Sequence, residues 1–516
     1  MKALGLTAVL GAAVLTMSAC GGGSGDSGGT NLVNGKTFVM ALPGDPGNLD
    51  PHFTSLSVTG QVGRFLYDSL LGFAPDGRLL PGLAASWESA GTTATFTLRR
   101  NVTCSDGSAL TASTVAANIN FVGDVKNAST RIGTYVPAGA KATADDSAGT
   151  VAVTVPAPDA FLDRNLGGLP IVCDSGLKDR AKLKQNALGS GMFTLTEVVP
   201  DDHYTLTRRK EYAWGPGDFT ADQAGLPDKV VLRVVANEAT TANLMLSGEV
   251  NAARFTGPDG QRLQGAAYLK RDIMAPTGEM WFNQKPGLPT EALDLRRALV
   301  QALDLAQLRQ VFASGRGGPP TGLVVPATSP CRQDTVTGNL PDFDAAGAKT
   351  AVAAASNGKP VKLTVAFDTS SGPGAQAAAE LVQQQWAAAG VQVELKSVTE
   401  TQIGQIASGQ FAWDVAMFPI GVSLPSQLVP FFSGPTPPNG SNFASVRNDA
   451  YVAAVTAAAR TPGDGGCDQW AAAEKALLQH LDLVPFANSN VPVYARGSQL
   501  DLSTGDVDPA SIRMLG

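Results

Sequence analysis

Three histidines, His52, His203 and His480, and five cysteines are the side chains of this chain whose types could carry metal, nucleophilic or redox chemistry. No two histidines stand at the i, i+4 step that puts two imidazoles on one helical face, so a zinc pair is not expected, nor is any other metal or cofactor. A hydrolase would need a nucleophile, a base and an orienting acid held together. Asp201-Asp202-His203-Tyr204 reads instead as a hairpin turn, and His480 follows Leu477-Leu478-Gln479 on a helix. No catalytic residue is therefore predicted, and an exported hydrolase is kept only as a rival that an activity screen with histidine variants would revive. A Gly-x-x-x-x-Gly-Lys-Ser/Thr phosphate loop is missing as well, so ATP hydrolysis is not expected of this chain.

The cysteines divide by position. Cys20 follows Met1-Lys2, an uncharged apolar run from Ala3 to Met17, and the small pair Ser18-Ala19. Fifteen apolar residues are too few for the roughly 20 that span a bilayer and suit the core of a signal peptide, expected over residues 1–19. Ser18-Ala19-Cys20 is similar to a bacterial lipobox, with Met17 where leucine is usual. Cys20 is accordingly expected to carry an acyl chain such as palmitate and to anchor the mature protein to the cell membrane, outside the cytoplasm. Ordinary secretory cleavage, with Cys20 incidental, is the alternative. Residues 20–31 then form the lipidated cysteine and a Gly/Ser tether that cannot bury apolar area. The Gly25-Asp26-Ser27-Gly28-Gly29 string inside it is the one that surrounds the nucleophile of trypsin-like proteases, but a tether supplies neither base nor oxyanion hole. Four cysteines remain for an oxidising compartment: Cys104, Cys173, Cys331 and Cys467. Three pairings exist. Cys104–Cys173 with Cys331–Cys467 is preferred because each pair falls within one half of the chain, and free buried thiols are the alternative.

The elements that hold these residues are mixed. With 516 residues, 44% of them hydrophobic, the chain can build a large core and more than one domain. A net charge of −7 gives no overall basic field, so a nucleic-acid partner is not expected. Val361, Leu363, Val365 and Phe367 alternate as a strand. A helix is predicted from about Gln376 to Ala389 with Gly390 as its cap, and Val391 to Leu395 alternate again. A strand, helix and strand of this length make a crossover unit with parallel strands. Leu295, Ala298, Leu299, Ala302 and Leu303 form one apolar helical face, and Asp304 with Gln307 reads as a capping box for the next helix. Ala94, Phe96 and Leu98, and Val151, Val153 and Val155, alternate as strands. The fold class is α/β, strand-rich before about residue 285 and helix-strand alternating after it.

Leu49-Asp50-Pro51, Leu66-Tyr67-Asp68-Ser69-Leu70-Leu71, and Leu79-Leu80-Pro81-Gly82-Leu83-Ala84-Ala85-Ser86-Trp87 run in order near the start. Phe96-Thr97-Leu98-Arg99 then precedes Ser105-Asp106-Gly107-Ser108-Ala109-Leu110-Thr111-Ala112. Gly189-Ser190-Gly191-Met192-Phe193, Ser247-Gly248-Glu249-Val250 and Leu295-Arg296-Arg297-Ala298-Leu299 follow. This ordered set resembles the large periplasmic solute-binding proteins of family 5, the peptide- and nickel-type receptors of ABC importers. The resemblance implies a two-lobed clamshell with a discontinuous first lobe built from residues 32–60, 190–275 and 491–516, and a strand-rich subdomain over 61–189. Residues 276–490 would form the second lobe, and crossings near Met274–Asn283 and Val484–Val491 the hinge.

It implies a monomer that captures an oligopeptide or similar small ligand by lobe closure and delivers it to a membrane permease with its ATPase subunit. A tethered sensor or scaffold without transport is the alternative. Ligand contacts are expected from Asn48, Leu49, Met280, Trp281, Asn283, Trp413, Asp414 and Phe418 beside the hinge and at strand ends. Trp281 and Trp413 read equally well as core side chains. Peptide receptors of this family commonly hold the peptide's amino group with an aspartate in the segment matching Phe418–Pro425, and this chain has none there. A nickel chelate finds no histidine cluster along the sequence.

Overall fold

The alternating segments become strands where one side of each can be buried. A computed structural model describes residues 31–54, 56–326, 328–369 and 374–516, so Cys20, the leader over 1–19 and the Gly25–Gly29 string lie outside the described residues. Strand Val361–Asp368, helix Gly374–Ala388 and strand Val391–Val398 form the expected crossover unit, the strands parallel with Val361 opposite Val391. Trp386 docks that helix: its indole N–H donates to the Leu299 carbonyl at 2.9 Å on helix Leu293–Gln301, whose Leu295, Ala298 and Leu299 are buried. Asp304 caps helix Leu305–Phe312 by accepting from the Gln307 N–H at 2.9 Å. The predicted reciprocal arm is not made. Gln385 intervenes, accepting from the Asp304 N–H at 3.0 Å and donating to the Gln307 side chain at 2.9 Å, so a neighbouring helix supplies the second half of the cap.

One eleven-stranded sheet runs through both lobes. Its order is Val391–Val398, Val361–Asp368, Val415–Met417, Tyr268–Phe282, Leu483–Arg496, Ala252–Arg254, Thr37–Leu42, Lys229–Val234, His203–Arg208 and Phe193–Val199, with Gly317–Gly318 paired to Leu483–Arg496. The two long strands Tyr268–Phe282 and Leu483–Arg496 are its centre. They pair antiparallel from Tyr268 opposite Arg496 to Trp281 opposite Leu483, with register shifts on both sides of Gly278. One end of this ribbon packs with Phe38, Phe65, Phe193, Tyr204 and Leu232, a core that also takes Leu500, Val507, Ile512 and Met514 from the chain's end. The other end packs into two cores around Trp281 and Trp386. The molecule is thus a two-lobed α/β clamshell whose halves share a two-stranded spine.

A separate four-stranded antiparallel sheet, in the order Ala84–Ala90, Thr93–Leu98, Thr150–Thr154 and Lys141–Asp145, merges its buried face with the first core. Cys104 is joined to Cys173 (Cα–Cα 6.2 Å) and Cys331 to Cys467 (5.1 Å). Bridges that close long loops contribute about 2–4 kcal/mol each. The sequence pattern around Tyr67-Asp68 and Gly189-Ser190-Gly191 has a packing cause. A Cβ on Gly189 would stand 2.4 Å from the Leu66 oxygen, and one on Gly191 2.5 Å from the Leu66 carbonyl carbon, while the Gly191 N–H donates to the Leu66 oxygen at 3.1 Å. The backbone there closes on the end of helix Ser57–Leu66. Asp68 fastens the same junction by accepting from Ser190 (2.9 Å), Tyr212 (2.8 Å) and Trp214 (3.0 Å), and its burial raises its pKa to about 6. Gly191→Ala is expected to lower unfolding free energy by about 1–3 kcal/mol through overpacking; a urea unfolding curve that overlays the parent's would refute this close-approach account.

Candidate functional site

A cavity of about 360 Å3 lies between the lobes. Its first-lobe wall is Leu49, Pro51, Thr54 and Leu56 and the flank of helix Ser57–Leu66, completed by Arg131, Tyr135, Arg164, Asn165 and the return at Thr504 and Asp506. The second lobe supplies Thr328, Gly421, Ser423, Leu424 and Gln427.

The run before the helix is fixed by its own short polar residues. Asn48 accepts from the Asp50 N–H at 3.1 Å and Asp50 from the His52 N–H at 3.0 Å, the local turns that Asn and Asp favour. Arg180 clamps Asp50 from the far side with two hydrogen bonds, at 2.5 and 3.0 Å, and lies 4.2 Å from the Phe121 ring centroid. Asp50 is nearly inaccessible, so this pair acts as a buried strut. His52 behind it is fully buried, its Nε2 3.0 Å from the Pro170 oxygen, and burial first, then the Arg180 charge, pushes its pKa down to about 3. It is a neutral structural ring.

Three guanidinium groups border the cavity, each held by a main-chain carbonyl. Arg64 donates to Ser503 at 2.6 Å, Arg131 to Pro51 at 2.9 Å and Arg164 to Gly77 at 2.6 Å. Arg131 also lies 5.3 Å from the Tyr135 ring centroid. The only carboxylate on the wall among the described residues, Asp506, is taken by Arg254 at 3.0 Å.

The lobes touch around this space. Gln427 donates to the Thr134 oxygen at 3.1 Å, Arg332 to the Asp76 oxygen at 2.6 Å, and the Gly463 N–H to the Ala160 oxygen at 2.7 Å. Phe161, from the segment beside the four-stranded sheet, enters the second-lobe core and packs 5.8 Å from Trp470 between ring centroids. Near the spine, Arg316 donates to the Gly257 and Thr256 oxygens.

Of the eight residues predicted to meet a ligand, the structure puts Leu49 on the cavity wall. Asn48 spends its side chain on the turn. Met280, Trp281, Trp413 and Phe418 are corrected to core residues, because each is at most 5% exposed and sits in an apolar cluster. Trp281 lies 4.8 Å from Phe432 and 4.9 Å from Phe443 between ring centroids, and its N–H donates to the Phe418 oxygen at 3.0 Å. Asn283 donates to the Trp413 oxygen at 3.0 Å, and both border a separate depression with Lys285, Phe443 and Arg447 that has no first-lobe wall. Asp414 accepts from the Thr364 N–H at 2.7 Å, which makes it a strand-edge clamp. The segment Phe418–Pro425 does reach the cleft, through Gly421, Ser423 and Leu424.

Sequence reasoning missed Arg64, Arg131, Arg164, Tyr135, Asn165 and Gln427, which come from distant stretches with no shared spacing. The histidines stay apart: His203 contacts Glu197 and Asp202, and His480 contacts Asp482 at 2.7 Å. Among the described residues no cluster of three or more His, Cys, Asp or Glu could hold a metal ion, and no helix is long and apolar enough to cross a membrane.

A cleft walled by two lobes that share a two-stranded spine defines a solute receptor of the clamshell type. The pattern of the bacterial extracellular solute-binding proteins, family 5 Middle, matches residues 78–440, and the chain belongs to that family. It is 26% identical to the oligopeptide-binding protein OppA of Bacillus subtilis over 74% of this chain and 75% of that one. It is 27% identical to the glutathione-binding protein GsiB of Escherichia coli O1:K1 over 57% of each chain. Among solved structures, a substrate-binding protein from Microbacterium hydrocarbonoxydans complexed with 4-hydroxybenzoate hydrazide superposes with a TM-score of 0.75 at 25% identity, covering 93% of this chain and all of that one.

Proposed function

We propose that this chain is the substrate-binding lipoprotein of an ABC importer, a monomer tethered outside the cytoplasm through an acylated Cys20, which captures a small ligand by closing residues 276–490 onto the rest. The observation that carries this reading is the cavity with walls from both lobes, which are joined by the strands Tyr268–Phe282 and Leu483–Arg496. A ligand that touches both walls binds only the closed form, so binding shifts the population toward closure. Turning 1:99 into 99:1 takes a preference of about 5.5 kcal/mol for the closed form, within reach of one desolvated ligand. A permease that recognises the closed form then receives loaded receptors selectively, and its ATPase drives transport. Membership of a solute-binding family and likeness to a peptide receptor and a glutathione receptor support the reading.

Native mass spectrometry of the protein purified from membranes tests it together with small-angle scattering. The mature mass is expected to begin at Cys20 with its acyl groups and to carry one retained ligand, and the radius of gyration to fall when ligand is added to stripped protein. An unmodified mature form, or a radius indifferent to every bound solute, would overturn the proposal.

A further inference from the structure

We propose that the interlobe cavity takes a compact organic polyanion, whose carboxylate or phosphate oxygens are gripped by Arg64, Arg131 and Arg164; the inference rests on the receptor reading and names its class of cargo. Three arginines line one small space, and among the described residues the side-chain hydrogen bonds of all three go to main-chain carbonyls and none to a carboxylate. Asp508 near Arg64, and Asp163 and Asp464 near Arg164, exert their charge from farther away. Asp506, the one acid on the wall, is already neutralised by Arg254.

Unpaired like charges gathered in a partly desolvated cleft repel one another, and the fold holds them there by giving each a single carbonyl: Ser503, Pro51 and Gly77. A guanidinium has five N–H donors, so most of the fork on each arginine is left for a planar anionic group, which it binds bidentately. Hydroxyls and amides fill the gaps between the cations, among them Ser57, Thr59, Asn165, Ser423 and Gln427. Leu56, which has no acceptor, is the N-cap of helix Ser57–Leu66, so the positive end of that helix also meets the cavity uncapped.

The same wall disfavours a free amine. An ammonium entering the cleft finds three positive charges and no free carboxylate, and burying it there carries an uncompensated desolvation cost. At about 360 Å3 the cavity lies at the small end of ligand sites, which suits a compact acid better than an extended oligopeptide.

Isothermal titration of the full mature chain, stripped of retained ligand, against three groups of probes tests the assignment. One group is di- and tricarboxylates, one is sugar phosphates, and the third is trialanine with spermidine. Binding is expected from one of the two anion groups, which also tells carboxylate from phosphate cargo, and not from the third. Arg131→Gln and Arg164→Gln are each expected to weaken the bound anion about 10- to 100-fold, and the paired Lys variants, which keep charge but lose the fork, to weaken it less. Lys variants that fold and bind guard against a Gln variant that simply fails to fold. Binding by trialanine or spermidine, no binding by any anion, or anion affinity untouched in folded Gln variants would each overturn the assignment. Scattering on the same samples separates the two proposals. Compaction around trialanine would sink the polyanion and leave the receptor standing, whereas anion binding without compaction would sink the receptor and leave the anion site.

Discussion

Trp281→Ala is expected to lower the free energy of unfolding by about 3–5 kcal/mol, with ligand affinity per folded molecule nearly unchanged. The indole is fully buried, stacked nearly parallel to Phe432 and tilted against Phe443, and it donates to the Phe418 carbonyl. Removing it leaves a cavity among rings that belong to one lobe and an unpaired main-chain oxygen, so two costs add. Trp281→Phe refills much of the volume and is expected to recover more than half of the loss, leaving mainly the orphaned Phe418 oxygen. Urea unfolding followed by far-ultraviolet circular dichroism gives the first quantity, and titration with the retained ligand gives the second. A variant with parental stability and a large affinity loss would return Trp281 to the cleft and show that the indole was wrongly moved to the core.

The reason Trp281 looked like a ligand residue is also the reason much of the site was hidden. It stands on a strand that crosses between lobes, and sequence position near a crossing is visible, whereas the face on which a side chain emerges is decided by packing. The register shifts around Gly278 displace the alternation where it would have been used. What patterning alone can specify was legible: the crossover unit beginning at Val361, the apolar face from Leu295, the Asp304 cap and the turn at Asp201-Asp202, although His203 and Tyr204, read as part of that turn, begin strand His203–Arg208. Each depends on neighbours in sequence. The second half of the Asp304 cap was not legible because Gln385 comes from another helix. Likewise Arg64 lies on a helix, Arg131 in a loop and Arg164 on a short helix, and only the tertiary packing of the first lobe with its subdomain puts them on one wall. Besides Leu49 on the wall, the absence of an aspartate in Phe418–Pro425 was readable in advance, and it agrees with a wall that offers arginines in place of a free acid.

Glu279→Gln is expected to remove a pH dependence of stability built into the spine. Glu279 sits at the register shift on Tyr268–Phe282, is 1% exposed, and accepts from the Ile420 N–H at 2.8 Å. Burial pushes its pKa up from 4.5 to about 8; the Ile420 hydrogen bond pulls it down and the buried Glu474 pushes it further up. A carboxyl whose folded pKa lies above its unfolded one binds its proton more tightly when folded. Its stabilising share is therefore complete below about pH 4.5 and is lost as pH rises toward 8, a fall on the order of 4 kcal/mol. Glutamine resembles the protonated acid and keeps the acceptor for Ile420, so the variant and parent are expected to agree near pH 4.5 and to separate by several kcal/mol at pH 8. Asp68, whose pKa is also raised by burial but which is not coupled to Glu279, contributes the same slope to both proteins and cancels in the difference. Thermal melts of the two chains from pH 4.5 to 8.5 supply that difference, and a flat difference curve would show that Glu279 is not a buried neutral acid. Because Ile420 leads directly into Gly421, Ser423 and Leu424 on the cavity wall, ionising Glu279 places a charge where the spine and the second-lobe wall meet. Ligand affinity of the parent is therefore expected to fall between pH 7 and 8.5 more steeply than that of Glu279→Gln, since the closed form depends on both elements keeping their register.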